Sequence, residues 1–202
     1  MVRRPGCRAY PPGRGAHNIG GVRDLTAASQ LPVSELFVLV AGWPRPGNST
    51  LAAALAGEMR LPLLAKDEIK EALMDGLGQP PTVAESHRLG RAAVLAMLRV
   101  ARRCPGAVLD STWFDYAIPI ARTLPGRLVE VHCIVPAEVA RPRYRARIGQ
   151  RHAGHLDQAR TEQELWGTLP RPLGLGLGPV LNIDTSGEVD IAGLARAVLG
   201  SA

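Results

Sequence analysis

The chain predicts an α/β domain, a parallel sheet with helices on both faces, opened by a phosphate-binding loop. Three observations carry this expectation. Apolar, strand-like runs alternate with helix-period segments from residue 36 onward, as in a parallel sheet buried on both sides. The first run, Leu36-Phe37-Val38-Leu39-Val40, passes through a Gly/Pro turn directly into a helix. That turn, Gly42-Trp43-Pro44-Arg45-Pro46-Gly47-Asn48-Ser49-Thr50, spaces its glycines and its serine as a loop that cradles phosphate does.

Each element follows from its local pattern. Residues 36–40 are continuous, apolar and rich in β-branched side chains, a strand covered on both faces. Ser49 to Met59 places Leu51, Ala54, Leu55 and Met59 at helical spacing among strong helix formers. Leu61-Pro62-Leu63-Leu64-Ala65 reads as a short strand, and Asp67 through Met74 as a helix ending near Gly76. After a turn-rich stretch to Pro81, a long helix covers residues 83–103, with Leu89, Ala93, Met97 and Val100 as its apolar stripe. Ala107-Val108-Leu109-Asp110 is a buried strand that ends in an acid. Leu128 to Val135 is another strand, and Pro136 to Ile148 a helix with proline in its first turn. Val180 to Asp184 is the last strand and Asp190 to Leu199 the closing helix.

Composition narrows the class. At 202 residues the chain suits one domain with a sizeable core, and Leu, Val and Ala must fill it because only 4% of residues are aromatic. The net charge of +6 comes almost wholly from arginine, Lys66 and Lys70 being the two lysines. Such a balance suits anionic ligands such as nucleotides. It allows nucleic acid without indicating it, since no basic run is interleaved with aromatics. Cys7, Cys104 and Cys133 are widely spaced with no CxxC, which points to reduced thiols and a cytoplasmic protein. No apolar stretch approaches the roughly 20 residues a membrane helix needs. Residues 1–33 are rich in Arg, Gly and Pro and lack the apolar core of a secretory signal, so they read as a disordered extension before a domain at 34–202.

In parallel α/β sheets ligands gather at the carboxyl ends of strands. Asp110 closes its strand there, where a carboxylate can hold Mg²⁺ together with the Ser49 hydroxyl. Asp67 follows the second strand, either as acceptor of a hydroxyl proton or as a simple helix cap. Asp184 ends the last strand and suits a cap or turn better than a ligand. His152-Ala153-Gly154-His155 has two histidines with no nearby cysteine, a poor zinc set, and fits a mobile lid loop better.

Taken with the later segments LPLLAKDEIKEAL, AVLDSTWF, EVHCIVPAEVARPRYRAR and VLNIDTSG, the loop resembles the small P-loop kinase-like proteins often labelled AAA-family ATPases. Their relatives include polynucleotide 5′-hydroxyl kinases, chloramphenicol phosphotransferase and zeta-toxin sugar-nucleotide kinases. The resemblance covers nearly everything after residue 34. It implies a three-layer P-loop NTPase fold with a five-stranded parallel sheet and a helical lid at roughly residues 137–168. It implies nucleotide binding by Gly42–Thr50, with ATP or GTP and Mg²⁺ as the cofactor pair. It also puts Asp67 where such kinases keep the aspartate that activates the acceptor, with Lys70 one turn on facing that acceptor. Asp110 falls at the Walker B-like position, and Arg143 and Arg147 match lid arginines that close over the transferring phosphate. Read from the residues alone, those arginines fit equally a solvated basic helix with Arg141 and Arg145.

One residue departs from the pattern. Asn48 stands where the loop lysine belongs, and it is neutral and shorter. Losing one preorganised donor costs roughly 10²–10³ in rate, a fraction of the total acceleration enzymes achieve. Arg45 or Lys66 could bring charge from another direction. Two functions follow. One is a phosphotransferase moving the γ-phosphoryl of ATP or GTP to a hydroxyl of a small molecule or nucleic-acid end, impaired by Asn48. The other is a degenerate nucleotide-binding protein with a regulatory or interaction role. The retained acids and arginines favour the first. The acceptor and the oligomeric state do not follow from the sequence.

Overall fold

In a computed structural model of the chain, residues 35–42, 47–148, 151–156, 161 and 174–201 are described. The expected extension 1–33, the loop residues Trp43, Pro44, Arg45 and Pro46, and most of the expected lid beyond residue 156 lie outside them. Five strands form one sheet: β1 (Leu36–Gly42), β2 (Leu63–Ala65), β3 (Ala107–Asp110), β4 (Arg127–Ile134) and β5 (Val180–Asp184). Their order is β2-β3-β1-β4-β5, and every neighbouring pair is parallel. The chain runs from β1 outward to β2, back to β3, then across β1 to β4 and β5. Beside the carboxyl end of β1, therefore, the strand order changes direction, which opens the crevice where parallel sheets bind ligands.

The α-helices among the described residues are α1 (Asn48–Met59), α2 (Lys66–Leu77), α3 (Val83–Ala101), α4 (Ile118–Ala121), α5 (Ala137–Ile148) and α6 (Ile191–Ser201). They form layers on both sides of the sheet because β1 is apolar at every position. Leu36, Val38 and Val40 pack with α1 and α6 residues such as Leu55 and Val198. Phe37 and Leu39 pack with Met97 and Leu98 of α3 and Ala121 of α4.

Several expectations shift by a turn or less. β2 starts at Leu63 rather than Leu61, since Pro62 has no N–H to give and offers only its carbonyl to Val108 N, 2.9 Å away. α2 runs on past Gly76 to Leu77 and stops at Gly78, which has φ 95°. The stripe on α3 is corrected as well: Val100 is 51% exposed, and the buried row is Gly90, Ala93, Val94, Met97, Leu98 and Ala101. Two adjacent residues per turn face the sheet, so the true stripe is broader than a single row. The short α4 had no signal in the sequence.

One buried carboxylate organises the far side of the sheet. Glu130 in β4 is fully buried and accepts N–H bonds from Leu175 (2.6 Å) and Leu177 (2.9 Å), with His132 Nε2 at 3.2 Å. Burial alone would raise its pKa, yet His132 and the two amides hold it below the ordinary value. It thereby ties the segment leading into β5 to the middle of the domain.

Candidate active site

Of the loop, Gly42 and the end from Gly47 onward are described, and Gly47 to Thr50 lead into α1. Gly47 has φ 94° and ψ 13°, a left-handed conformation that favours glycine, and its carbonyl takes the first helical bond from Leu51 N at 2.9 Å. No side chain caps α1 and no acid lies in its first turn. Its first N–H groups therefore point past Gly47 with the positive end of the helix dipole behind them, a setting for an anion. Thr50, further round the helix, is exposed.

Asp110 is the centre of this end of the sheet. Strand register sets it between Val40 of β1 and Ala65 of β2. Asn48 Nδ2 donates to Asp110 Oδ1 at 2.9 Å, and Ser49 hydrogen-bonds the same carboxylate. Burial, at 6% exposure, pushes the Asp110 pKa up; the Ser49 and Asn48 bonds only partly offset this, and the nearby Asp67 charge adds to it. A buried carboxylate whose pKa stays raised despite the Lys66 charge is a group that gains from a further cation. Its oxygen, together with the Ser49 hydroxyl, is the hard donor set that suits Mg²⁺.

Asp67 lies in the first turn of α2, not at its cap: the helix begins at Lys66, and Ala65 precedes it without a side-chain bond. Its two oxygens are taken separately, Oδ1 by Lys66 Nζ and Oδ2 by Arg151 Nη2, both at 2.7 Å. Although burial would raise its pKa, the Lys66 and Arg151 charges hold the carboxyl well below the usual range. In this state Asp67 is a weak base.

Arg151 was not foreseen, and it belongs to a larger contact. Asp67, Glu71 and Asp75 recur every four residues along one face of α2. Each meets one residue of the segment 151–156: Arg151 on Asp67, His155 Nε2 on Glu71 Oε1 at 2.6 Å, and His152 Nε2 on Asp75 Oδ1 at 3.1 Å. Beneath them Lys70 Nζ donates to Ser86 Oγ (2.6 Å), which donates to the Gly154 carbonyl (3.1 Å). The histidines expected in a mobile loop are thus fastened to α2. Among the described residues no group of three or more His, Cys, Asp or Glu could hold a metal ion.

His155 makes this contact pH-sensitive. Arg151 Nη2 lies 3.4 Å from its Nδ1 and can only donate, so Nδ1 accepts and Nε2 carries the proton given to Glu71. Burial first, then the Arg151 charge, lowers the His155 pKa below its ordinary value of 6.5; Glu71 and Asp67 pull the other way, and Lys70 adds to the lowering. The unfolded chain then binds a proton more readily than the folded one. Stability from this residue is present above pH 6.5 and is lost as pH falls below it. His155→Gln is therefore expected to flatten the acid side of the melting-temperature profile between about pH 7 and 5. A profile with unchanged slope in the variant would count against the neutral assignment.

Other expected residues have different surroundings from those foreseen. Lys70 is 2% exposed and bonded to Ser86, so it braces α2 against α3 instead of facing an acceptor. Arg143 gives two N–H bonds to the carbonyls of Thr185 (2.7 Å) and Ser186 (2.6 Å), linking α5 to the turn after β5. Arg147, one turn on, is exposed. Asp184 accepts from Ser186 N at 2.8 Å, the turn role expected of it. The Cys133 thiol, opposite Gly42 in β4, is pushed up to about 12 by burial and the Asp110 charge, which excludes a thiolate nucleophile. No described helix is long and apolar enough to cross a membrane.

No protein-family model matches the chain, and no curated protein matches it in sequence. Solved structures do. A "putative kinase" from Chloroflexus aurantiacus J-10-fl is similar at 28% identity with a TM-score of 0.72, covering 84% of this chain and 99% of that one. A shikimate kinase from Bacteroides thetaiotaomicron is similar at 16% identity and TM-score 0.52, over 83% and 98% of the two chains. A gluconokinase from Sinorhizobium meliloti 1021 is similar at 18% identity and TM-score 0.51, over 81% and 89%. The fold is that of the P-loop kinases, an α/β architecture on a five-stranded parallel sheet.

Proposed function

We propose that the protein is a P-loop phosphotransferase that moves the γ-phosphoryl group of ATP or GTP to a hydroxyl group, slowed by asparagine at the loop-lysine position. The observation that carries this reading is the Asn48–Ser49–Asp110 cluster at the uncapped start of α1, in the crevice beside β1. The backbone N–H groups of Gly47 to Thr50 bind the phosphates. Ser49 and Asp110 would hold Mg²⁺, which supplies charge neutralisation on the phosphates. That the similar structures include sugar-acid and shikimate kinases favours a small-molecule acceptor over a nucleic-acid end.

In the transfer, the acceptor oxygen bonds to the γ-phosphorus while the bond to the β–γ bridging oxygen breaks. The nucleoside diphosphate leaves with that electron pair, and the hydroxyl proton passes to Asp67 or to water. Asp67 can take this part only when Arg151 lets go of Oδ2. The γ-phosphate competes for that arginine, so nucleotide binding both recruits Arg151 and frees Asp67. Because phosphoryl transfer has a loose transition state, orientation by Asp67 matters more than its basicity.

A second reading, nucleotide binding without transfer, is favoured by one observation: Asn48 is committed to Asp110 and brings no charge to the phosphates. Phosphorus NMR of the protein with MgATP and a panel of alcohols, 5′-hydroxyl oligonucleotides included, separates the two. A new phosphomonoester signal is the expected result. Nucleotide binding with no transfer across the panel would favour the second reading.

A further inference from the structure

We propose that the acceptor carries an aromatic ring, which stacks on Phe114 while its hydroxyl reaches Asp67; this rests on the phosphotransferase reading above. The loop after Asp110 runs Ser111-Thr112-Trp113-Phe114-Asp115-Tyr116 from the carboxyl end of β3. Trp113 anchors it: the ring is 6% exposed and Nε1 donates to the Val40 carbonyl at 3.1 Å. Phe114 is not needed for that anchoring, and it is 54% exposed. The chain has only two phenylalanines, and the other, Phe37, is fully buried.

Phe114 nevertheless has a fixed setting. Its ring lies 6.0 Å from that of Tyr116 with 13° between the planes, and the Arg91 guanidinium sits 4.5 Å from the Tyr116 centroid. Arg91 is thus a positioning residue, holding Tyr116 by a cation–π contact and through it the stack. The stack is linked to Asp67 through neighbouring residues of α3. Gly90, next to Arg91, is so close to Lys66 that an added methyl would lie 3.9 Å from its ammonium, and Lys66 is bonded to Asp67. Asp67 and the stack therefore flank the same stretch of α3, with Asp110 at the root of the loop.

An exposed aromatic face on the loop that leaves Asp110 offers the hydroxyl groups of a polyol no hydrogen-bonding partner. It offers a flat, apolar surface to another ring, an interaction measured at about 1–3 kcal/mol per stacked base, or roughly 5–150-fold in affinity.

The test is saturation-transfer NMR on the full chain, with thymidine and 2-phenylethanol as ring-bearing probes and ribose and gluconate as ring-free ones. The expected result is binding of the ring-bearing alcohols, strongest saturation on ring protons, and at least a fivefold loss of affinity in Phe114→Ala. Phe114→Tyr should retain it, and thermal melts check that both variants fold. Equal binding of the ring-free alcohols, binding of neither class, or unchanged affinity in Phe114→Ala overturns the proposal. This readout needs no turnover: a failure of nucleotide to bind defeats the phosphotransferase reading alone, while ATP binding without ring preference defeats this inference alone.

Discussion

Asn48→Lys is expected to raise the rate of Mg²⁺-dependent phosphoryl transfer by roughly 10²–10³. The substitution places a cation at the first residue of α1, whose start has no side-chain cap and no acid in its first turn. The four-carbon stem of lysine reaches past the point where Asn48 stops at Asp110 Oδ1. It also acts on Asp110 itself. Burial now raises the pKa of that carboxyl, and the Ser49 and Asn48 bonds with the Lys66 charge only partly offset it; a second ammonium would push it further down and keep it ionised for metal at lower pH. Asn48→Ala is the control, removing the bond to Asp110 without adding charge, and it should not accelerate the reaction. Single-turnover rates with saturating MgATP check this. A lysine variant no faster than the parent would mean that Asn48 serves the packing around Asp110 and that the phosphates are held elsewhere.

Glu130→Ala should cause a large loss of stability at a position away from the site. It removes the acceptor of two backbone N–H groups and of His132 from a place with no water contact. Truncating one partner of a buried charged network costs about 3–5 kcal/mol, and for a domain of this size each kcal/mol lowers the melting temperature by about 2–4 °C. A drop of roughly 6–20 °C is therefore expected. The pH dependence has a definite sign. The folded pKa lies below the ordinary carboxyl value of 4.5, so this stabilisation is complete above about pH 4.5 and disappears as pH falls through the folded value. Calorimetry of the variant at neutral pH decides the matter; melting within two or so degrees of the parent, less than about 1 kcal/mol, would show that the segment at 174–178 is held by its leucines alone.

The sequence carried the fold well because its signals were local. A fully apolar first strand, glycines at fixed spacing and acids at strand ends all state their positions directly, so the crevice with Ser49 and Asp110 was legible. What it could not state was pairing across long separations. Arg151 and Asp67 lie 84 residues apart, as do His155 and Glu71. The four-residue rhythm Asp67, Glu71, Asp75 was present, but nothing local says what meets it. For Lys70 and Arg143 the residue type suggested phosphate and acceptor chemistry, while burial and neighbouring carbonyls gave both a bracing role. Glu130 was hidden for the opposite reason: one acid inside a strand reads as an exception until the amides it serves are known.

Titration of ATP into the full-length protein, with and without Mg²⁺, for the parent and for Asp110→Ala, tests the central claim most directly. Binding that Mg²⁺ strengthens in the parent, and a loss of that strengthening in the variant, is the predicted result. Absence of binding at millimolar nucleotide, or a Mg²⁺ effect untouched by the loss of Asp110, would contradict it.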